Sequence, residues 1–68
     1  MVLTIELECE EDGRWIAEVP QLPGVLAYGE TQQLAVQHVR ALAFRVIADQ
    51  IDSGELDANL VASVSFAA

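Results

Sequence analysis

Apolar and polar side chains alternate at the start of the chain, with apolar residues at every odd position over Leu3–Cys9. A period of two is typical of a strand with one face toward a core, so a first strand is predicted here. Cys9 is expected to be buried as a small hydrophobic residue. The glutamates between the apolar positions, Glu6, Glu8 and Glu10, then share the solvent face at a spacing of about 7 Å.

Turn residues separate this segment from two further predicted strands. Asp12-Gly13 is a strong signal for a hairpin turn, and a second strand is predicted over Arg14–Val19. A third strand, Val25–Tyr28, follows the turn pair Pro23-Gly24. Short turns of this kind predict an antiparallel three-stranded meander. One face of the second strand carries Trp15, Ala17 and Val19.

A helix is predicted over about Gln32–Ile51, because apolar residues recur there at spacings of three and four. They are Ala35, Val39, Leu42, Ala43 and Val46. Thr31 is expected to be the N-cap and Gly54 the stop. Alternation returns over about Leu60–Phe66, which predicts a fourth strand. The intervening helix allows a crossover connection, with the fourth strand parallel to its neighbour.

The predicted fold class is therefore α+β, in the order β-β-β-α-β, with a single domain over residues 1–68 and one helix on one sheet face. The uncovered face is expected to mix charged and apolar side chains. With 53% hydrophobic residues in a chain of 68, and with free sheet edges, self-association as a homodimer or homotetramer is favoured. The residues expected on the uncovered face are Glu6, Glu8, Ile16, Glu18 and Val61.

Charge narrows the range of partners. The formal net charge is −8, with three arginines and no lysine, so direct binding to nucleic acid or to an anionic membrane surface is disfavoured. A basic protein partner is favoured, although solubility alone would also account for the charge. The candidate partner-binding residues are Glu6, Glu8, Glu10 and Glu18. The first residues resemble neither a signal peptide nor a membrane anchor, so a cytoplasmic location is expected.

Candidate chemistry is sparse. A row of glutamates could bind Mg²⁺, but a solvated strand face accounts for the same pattern. His38 is expected to be an exposed helical histidine, and one cysteine with one histidine cannot form a structural zinc site. No catalytic residue, metal site or cofactor is predicted.

The central motif of the chain combines Trp15-Ile16-Ala17-Glu18-Val19-Pro20, Leu22-Pro23-Gly24 and a Gly-x-Thr before an Ala-rich helix. In this combination the chain resembles the HicB-like family of small antitoxin domains. The resemblance covers nearly the whole chain, as a stand-alone N-terminal-type domain without the DNA-binding extension. The residues that form the fold in this comparison are Gly13, Trp15, Pro20, Pro23, Gly24, Gly29 and Thr31.

This resemblance implies a partial RNase H-like fold. It also implies a non-catalytic domain that sequesters a small basic mRNA interferase, itself resembling a dsRNA-binding domain. The alternative hypothesis is a solitary homo-oligomeric scaffold or regulatory domain that binds another protein or a small ligand, without a toxin. An enzyme is the third and least favoured hypothesis.

Overall fold

Residues 1–67 are described by a computed structural model, and within them the chain forms an α+β fold. A single α-helix packs on a layer of five short strands, which confirms the predicted fold class. The strands are β1 (Val2–Thr4), β2 (Glu6–Cys9), β3 (Trp15–Glu18), β4 (Leu26–Gly29) and β5 (Ser65–Ala67). The helix α1 spans Gln32–Asp52, and a short 3-10 helix spans Ala58–Leu60.

The predicted first strand is divided into two at Ile5. β1 pairs with β5 in parallel, whereas β2 pairs with β3 antiparallel, so the ladder partner changes where the two segments meet. The Ile5 amide still donates to the Ala67 carbonyl at 2.7 Å, and the inward-outward alternation continues across the division. The predicted order β-β-β-α-β therefore becomes β-β-β-β-α-β. The strands pair as two sheets, one in the order β2-β3-β4 and one of β1 with β5. The two sheets adjoin at Ile5, because β1 and β2 are the two halves of one extended segment.

The antiparallel meander is confirmed for β2, β3 and β4. Its register places Leu7 opposite Ala17 and Ala17 opposite Ala27. The two connecting turns use glycines with positive φ, at 88° for Gly13 and 82° for Gly24. Glycine reaches this backbone region without the steric cost that other residues meet.

The predicted fourth strand is shorter than the alternation suggests. Only Ser65–Ala67 is a strand, and it runs parallel to β1, as the crossover prediction requires. Because Val2 pairs with Ser65, residues 60–62 lie beyond the reach of the β1 ladder. The chain instead forms the 3-10 helix, whose N-cap Asp57 accepts from the Asn59 amide at 2.9 Å. Val61 is consequently half-buried beside this turn and does not join the uncovered sheet face.

The hydrophobic core lies between α1 and the inner face of the sheet. The helix contributes a stripe at four-residue spacing, Ala35, Val39, Ala43 and Ile47. The strands and the Pro-Gly loop contribute Leu3, Ile5, Ala17, Val19, Leu22 and Val25. The pattern predicted three of the four helical core residues; Ile47 was missed, and the predicted Leu42 and Val46 are half-buried flanking residues.

The start of α1 sits directly on β4. The Thr31 hydroxyl accepts from the Leu34 amide at 3.1 Å, so the predicted N-cap is confirmed. Gly29 is buried beneath this first turn, and a Cβ on it would lie 2.8 Å from the Leu34 carbonyl carbon and closer still to Ala35. The glycine therefore permits a contact between the strand and the helix backbone that no other residue allows.

The prediction that Cys9 is buried is wrong. Its side chain is exposed, because α1 packs on β3 and β4 and a helix about 10 Å wide covers roughly two strands at a spacing of about 4.8 Å. The inner face of β2 is thus covered progressively less toward the hairpin. Leu7 is half-buried there, and Cys9 lies outside the covered area.

Candidate protein-binding surface

The face of the sheet opposite α1 carries two rows of side chains that cross the meander. The first row is Glu6, Glu18 and Leu26, and the second is Glu8, Ile16 and Tyr28. These six residues are called the outer sheet face below. The structure thus brings together three of the four predicted partner-binding glutamates and places an apolar patch beside them.

Two carboxylates on the outer sheet face are direct cross-strand neighbours. Glu6 lies opposite Glu18, and antiparallel neighbours have Cβ atoms about 5 Å apart, where like charges destabilise the pair. Within residues 1–67 the ion pair within 4 Å is that between Arg14 and Asp12. In this part of the chain the glutamates of the face therefore make no ion pair that would offset their repulsion.

Arg14, the nearest basic residue, is held at the hairpin. Its backbone amide donates to Asp12 Oδ1 at 3.1 Å and its Nε donates to Oδ2 at 2.8 Å. The hydrogen bond from the Arg14 amide, together with the guanidinium, lowers the pKa of the Asp12 carboxyl. The guanidinium carbon also lies 4.7 Å from the centroid of the Tyr28 ring, within cation–π range.

The apolar part of the outer sheet face comes mainly from β4. Leu26 is 39% exposed and Tyr28 is 42% exposed, while Ile16 beside them is half-buried. Neither Leu26 nor Tyr28 was predicted on this face from the sequence. The alternation of Val25 and Ala27 with these two residues was the signal that could have found them.

Glu10, the remaining predicted partner-binding residue, lies after β2 at the hairpin. It is half-buried, and its amide donates to the Arg14 carbonyl at 2.7 Å. A surface depression of about 450 Å³ lies here. It is lined by Glu8, Cys9, Glu10, Glu11, Asp12 and Arg14.

The motif residues of the HicB-like resemblance lie around the core and in the connecting loops. Trp15 is half-buried and packs against the core cluster. Pro20 and Pro23 are exposed in the loop that follows β3, and they flank Leu22, which is 6% exposed and anchors that loop in the core. None of these three motif residues lies on the outer sheet face.

His38 is exposed on the helix, as predicted, but it also makes a contact that the sequence did not indicate. Its Nδ1 lies 2.8 Å from the Tyr28 carbonyl oxygen. A carbonyl only accepts, so Nδ1 carries the proton and donates. The imidazole thus ties the second turn of α1 to the outer edge of β4.

No group of three or more His, Cys, Asp or Glu side chains within residues 1–67 is arranged to hold a metal ion. In the same part of the chain, no helix combines the length and apolar character needed to cross a membrane.

Comparison with known proteins returned no match to a protein-family model, a curated protein or a solved structure. The HicB-like resemblance therefore rests on the residues quoted from the sequence, and the function it implies is a proposal.

Proposed function

We propose that this chain is a non-catalytic protein-binding module of the antitoxin type, which sequesters a small basic RNA-cleaving protein through the outer sheet face. The observation that carries the proposal is the pairing of Glu6 with Glu18 next to the exposed apolar side chains of Leu26 and Tyr28. The similarity of the central motif to HicB-like antitoxins supports the same class of partner.

The electrostatics of the outer sheet face favour a cationic partner. A chain with net charge −8 attracts a basic protein over a distance and accelerates the encounter. On contact, an arginine or lysine between Glu6 and Glu18 would relieve their mutual repulsion and form charge-assisted hydrogen bonds. The partner should therefore present basic side chains opposite this pair.

The apolar side chains form a central region of the face from which a bound partner would exclude water. Tyrosine is enriched among the residues that dominate binding energy, because it buries a large area with little loss of side-chain entropy. In the register Leu26 lies opposite Glu18, and Tyr28 lies opposite Ile16. The partner is thus expected to place an apolar residue over β4 and its basic residues over β2 and β3.

The direct test is co-expression with each small basic protein encoded beside this chain's gene. The proposal expects a stoichiometric complex on size exclusion with light scattering, and RNA cleavage by the basic protein that disappears on binding. If no neighbouring basic protein forms such a complex, the antitoxin proposal is rejected.

A charge-reversal pair tests the surface itself. Glu6→Lys with Glu8→Lys should weaken the complex by about tenfold or more at low salt, equivalent to about 1.4 kcal/mol. The matched control, Asp49→Lys with Glu55→Lys, changes the net charge equally on exposed residues at the far end of α1. Equal affinities for the two double variants would reject the outer sheet face as the binding surface.

A homo-oligomeric scaffold remains the second candidate, and the free edge of β5 favours it. Under this alternative the chain assembles with itself and ignores basic neighbours. The same light-scattering experiment separates the two, since only the antitoxin proposal requires a second protein in the complex.

A further inference from the structure

The two edges of the strand layer differ in what covers them. At the β4 edge, the Val19 amide donates to the Val25 carbonyl at 3.0 Å. Hydrogen-bonding groups alternate along a strand, so the backbone groups of Leu26 and Tyr28 point away from β3, toward solvent. At this edge the His38 side chain donates a hydrogen bond to the Tyr28 carbonyl. A side chain that covers an edge acts against pairing with another strand.

At the β5 edge the backbone groups are free to pair. The Ser65 amide donates to the Met1 carbonyl at 2.9 Å, and the Ala67 carbonyl accepts from Ile5 at 2.7 Å, so both residues face β1. By the same alternation, Val64 and Phe66 point their amides and carbonyls outward. Within residues 1–67 no further strand lies beyond this edge.

The β5 edge is also free of acidic side chains. Residues 58–67 contain no charged residue, in a chain of net charge −8. Apolar side chains flank the edge: Phe44 of α1 is 50% exposed and meets Phe66 edge-on at 5.5 Å between ring centroids. Leu60 is 78% exposed. The Arg40 guanidinium lies over the Phe66 ring at 5.5 Å from its centroid.

We infer that the β5 edge is a homodimer interface, in which β5 pairs antiparallel with β5 of a second copy about a twofold axis at Ser65. Val64 of each copy then exchanges amide–carbonyl hydrogen bonds with Phe66 of the other. Ser65 faces Ser65 in the non-hydrogen-bonded position between them. The inference is independent of the proposed function, because it needs no basic partner.

A second copy fits this edge better than another partner for two reasons. Two acidic chains repel each other least where neither carries acidic charge, and residues 58–67, which include β5, contain no acidic residue. The short strand needs side-chain contacts as well. A standard interface takes about 800 Å² from each partner, roughly a sixth of the 4550 Å² surface, and the half-exposed ring of Phe44 beside Phe66 adds apolar area to the strand edge.

The arrangement has a consequence for the outer sheet face. A twofold axis perpendicular to the sheet joins the two layers edge to edge and keeps both outer sheet faces on the same side. The dimer would present two acidic surfaces together, and a partner with two basic sites would gain from engaging both.

A crosslinking experiment tests the register. Ser65→Cys in a Cys9→Ser background should form an intermolecular disulfide rapidly under mild oxidation. Directly opposed non-hydrogen-bonded residues have Cα atoms roughly 4.5 Å apart, within the range that a disulfide spans. Val2→Cys in the same background is the matched control, since Val2 is exposed and lies beside Ser65 on the far side from the edge. Equal crosslinking rates for the two variants would overturn the interface.

A charge experiment separates loss of pairing from loss of folding. The chain alone should sediment as a dimer, and Ser65→Glu should raise its dimer dissociation constant by about tenfold, since like charges then face each other. Ser65→Lys should behave likewise, whereas an equimolar mixture of the two variants should recover the dimer. A wild-type monomer at all concentrations, or a dimer that both variants leave unchanged, would overturn the inference. Dimer loss without recovery in the mixture, from variants that remain folded by circular dichroism, would also overturn it.

Discussion

The β4 and β5 edges of the same strand layer are built in different ways. At β4, the first turns of α1 lie directly on the strand, Gly29 lets the two backbones meet, and His38 reaches over to the edge carbonyl of Tyr28. At β5, the flank of α1 contributes Phe44, which remains half exposed. One edge is thus closed by the chain's own helix, and the other is bordered by apolar groups that face outward.

This difference follows from the width of a single helix. α1 makes most of its contacts with β4 and β3, and roughly two strands are as much as one helix can cover. Along β5 the packing is looser, since Val64 and Phe66 are only half-buried, while Leu3 and Ile5 of the neighbouring segment are buried. Stability should therefore be concentrated at the β4 side, while the β5 side is suited to contact with another chain.

The largest expected effect is at the contact between β4 and the helix. Gly29→Ala should lower the free energy of unfolding by about 3 kcal/mol or more, because the new Cβ meets backbone atoms that cannot rotate away. Urea denaturation measures the loss. Gly24→Ala is the control: its site is open, and only the strain of a positive φ remains, which costs about 1–2 kcal/mol. Equal losses of unfolding free energy for the two variants would show that the close contact between Gly29 and the helix backbone does not account for the effect.

A matched pair of valines compares the two sides directly. Val25→Ala removes two methyl groups from a site 1% exposed beside β4 and should cost about 2 kcal/mol. Val64→Ala makes the same change at a half-buried site next to β5 and should cost less than about 1 kcal/mol in the monomer. The measurement is urea unfolding at a protein concentration below the dimer dissociation constant. A greater loss at Val64 would reverse the comparison.

His38 offers a smaller effect, confined to the closed edge. His38→Ala removes the hydrogen bond to the Tyr28 carbonyl and should cost about 0.5–1 kcal/mol, the ordinary net value of a hydrogen bond. Thermal unfolding monitored by circular dichroism measures this, with Gln37→Ala as an exposed neighbour that lacks such a bond among the described contacts. If the two variants are equally stable, the imidazole does not hold the edge.

The smallest effect lies at the hairpin, away from both edges. The Asp12 carboxyl has a lowered pKa because of the Arg14 amide and guanidinium. Its stabilising contribution is present above the unfolded-state value and is lost as the pH falls through the lower folded-state pKa, below 3.8. An NMR titration should place the Asp12 midpoint below 3.8, and Arg14→Ala should raise it in part, because the variant removes the guanidinium and keeps the backbone amide. An unchanged midpoint in that variant would show that the guanidinium does not contribute to the lowered pKa.

Several parts of this fold were predictable because they depend on local chemistry. Alternation correctly separated the inward Leu3, Ile5 and Leu7 from the glutamates between them. The Thr31 cap was also predictable, since it requires only a hydroxyl within reach of the next turn. The same period of two placed three of the candidate glutamates on the outer faces of their strands: Glu6, Glu8 and Glu18.

Other features depend on which elements become neighbours, and no local pattern carries that information. Ile5 alternates like the residues around it, yet the pairing partner changes there because β5 lies beside one half of the segment and β3 beside the other. Cys9 has the period of a core residue, and its exposure depends on how far α1 extends across the sheet. The bond between His38 and Tyr28 needs a helix and an edge strand at a particular separation.

The sequence by itself determined the α+β class, the meander, the extent of the helix, the strong negative charge and the faces of the residues in the first two predicted strands. These follow from side-chain period, backbone preferences at glycine and proline, and a count of ionisable groups. Only the tertiary structure decided the division of the first strand, the shortening of the last and the different character of the two edges. Those outcomes depend on the width of the helix and the reach of each ladder, which are distances in space and not intervals along the chain.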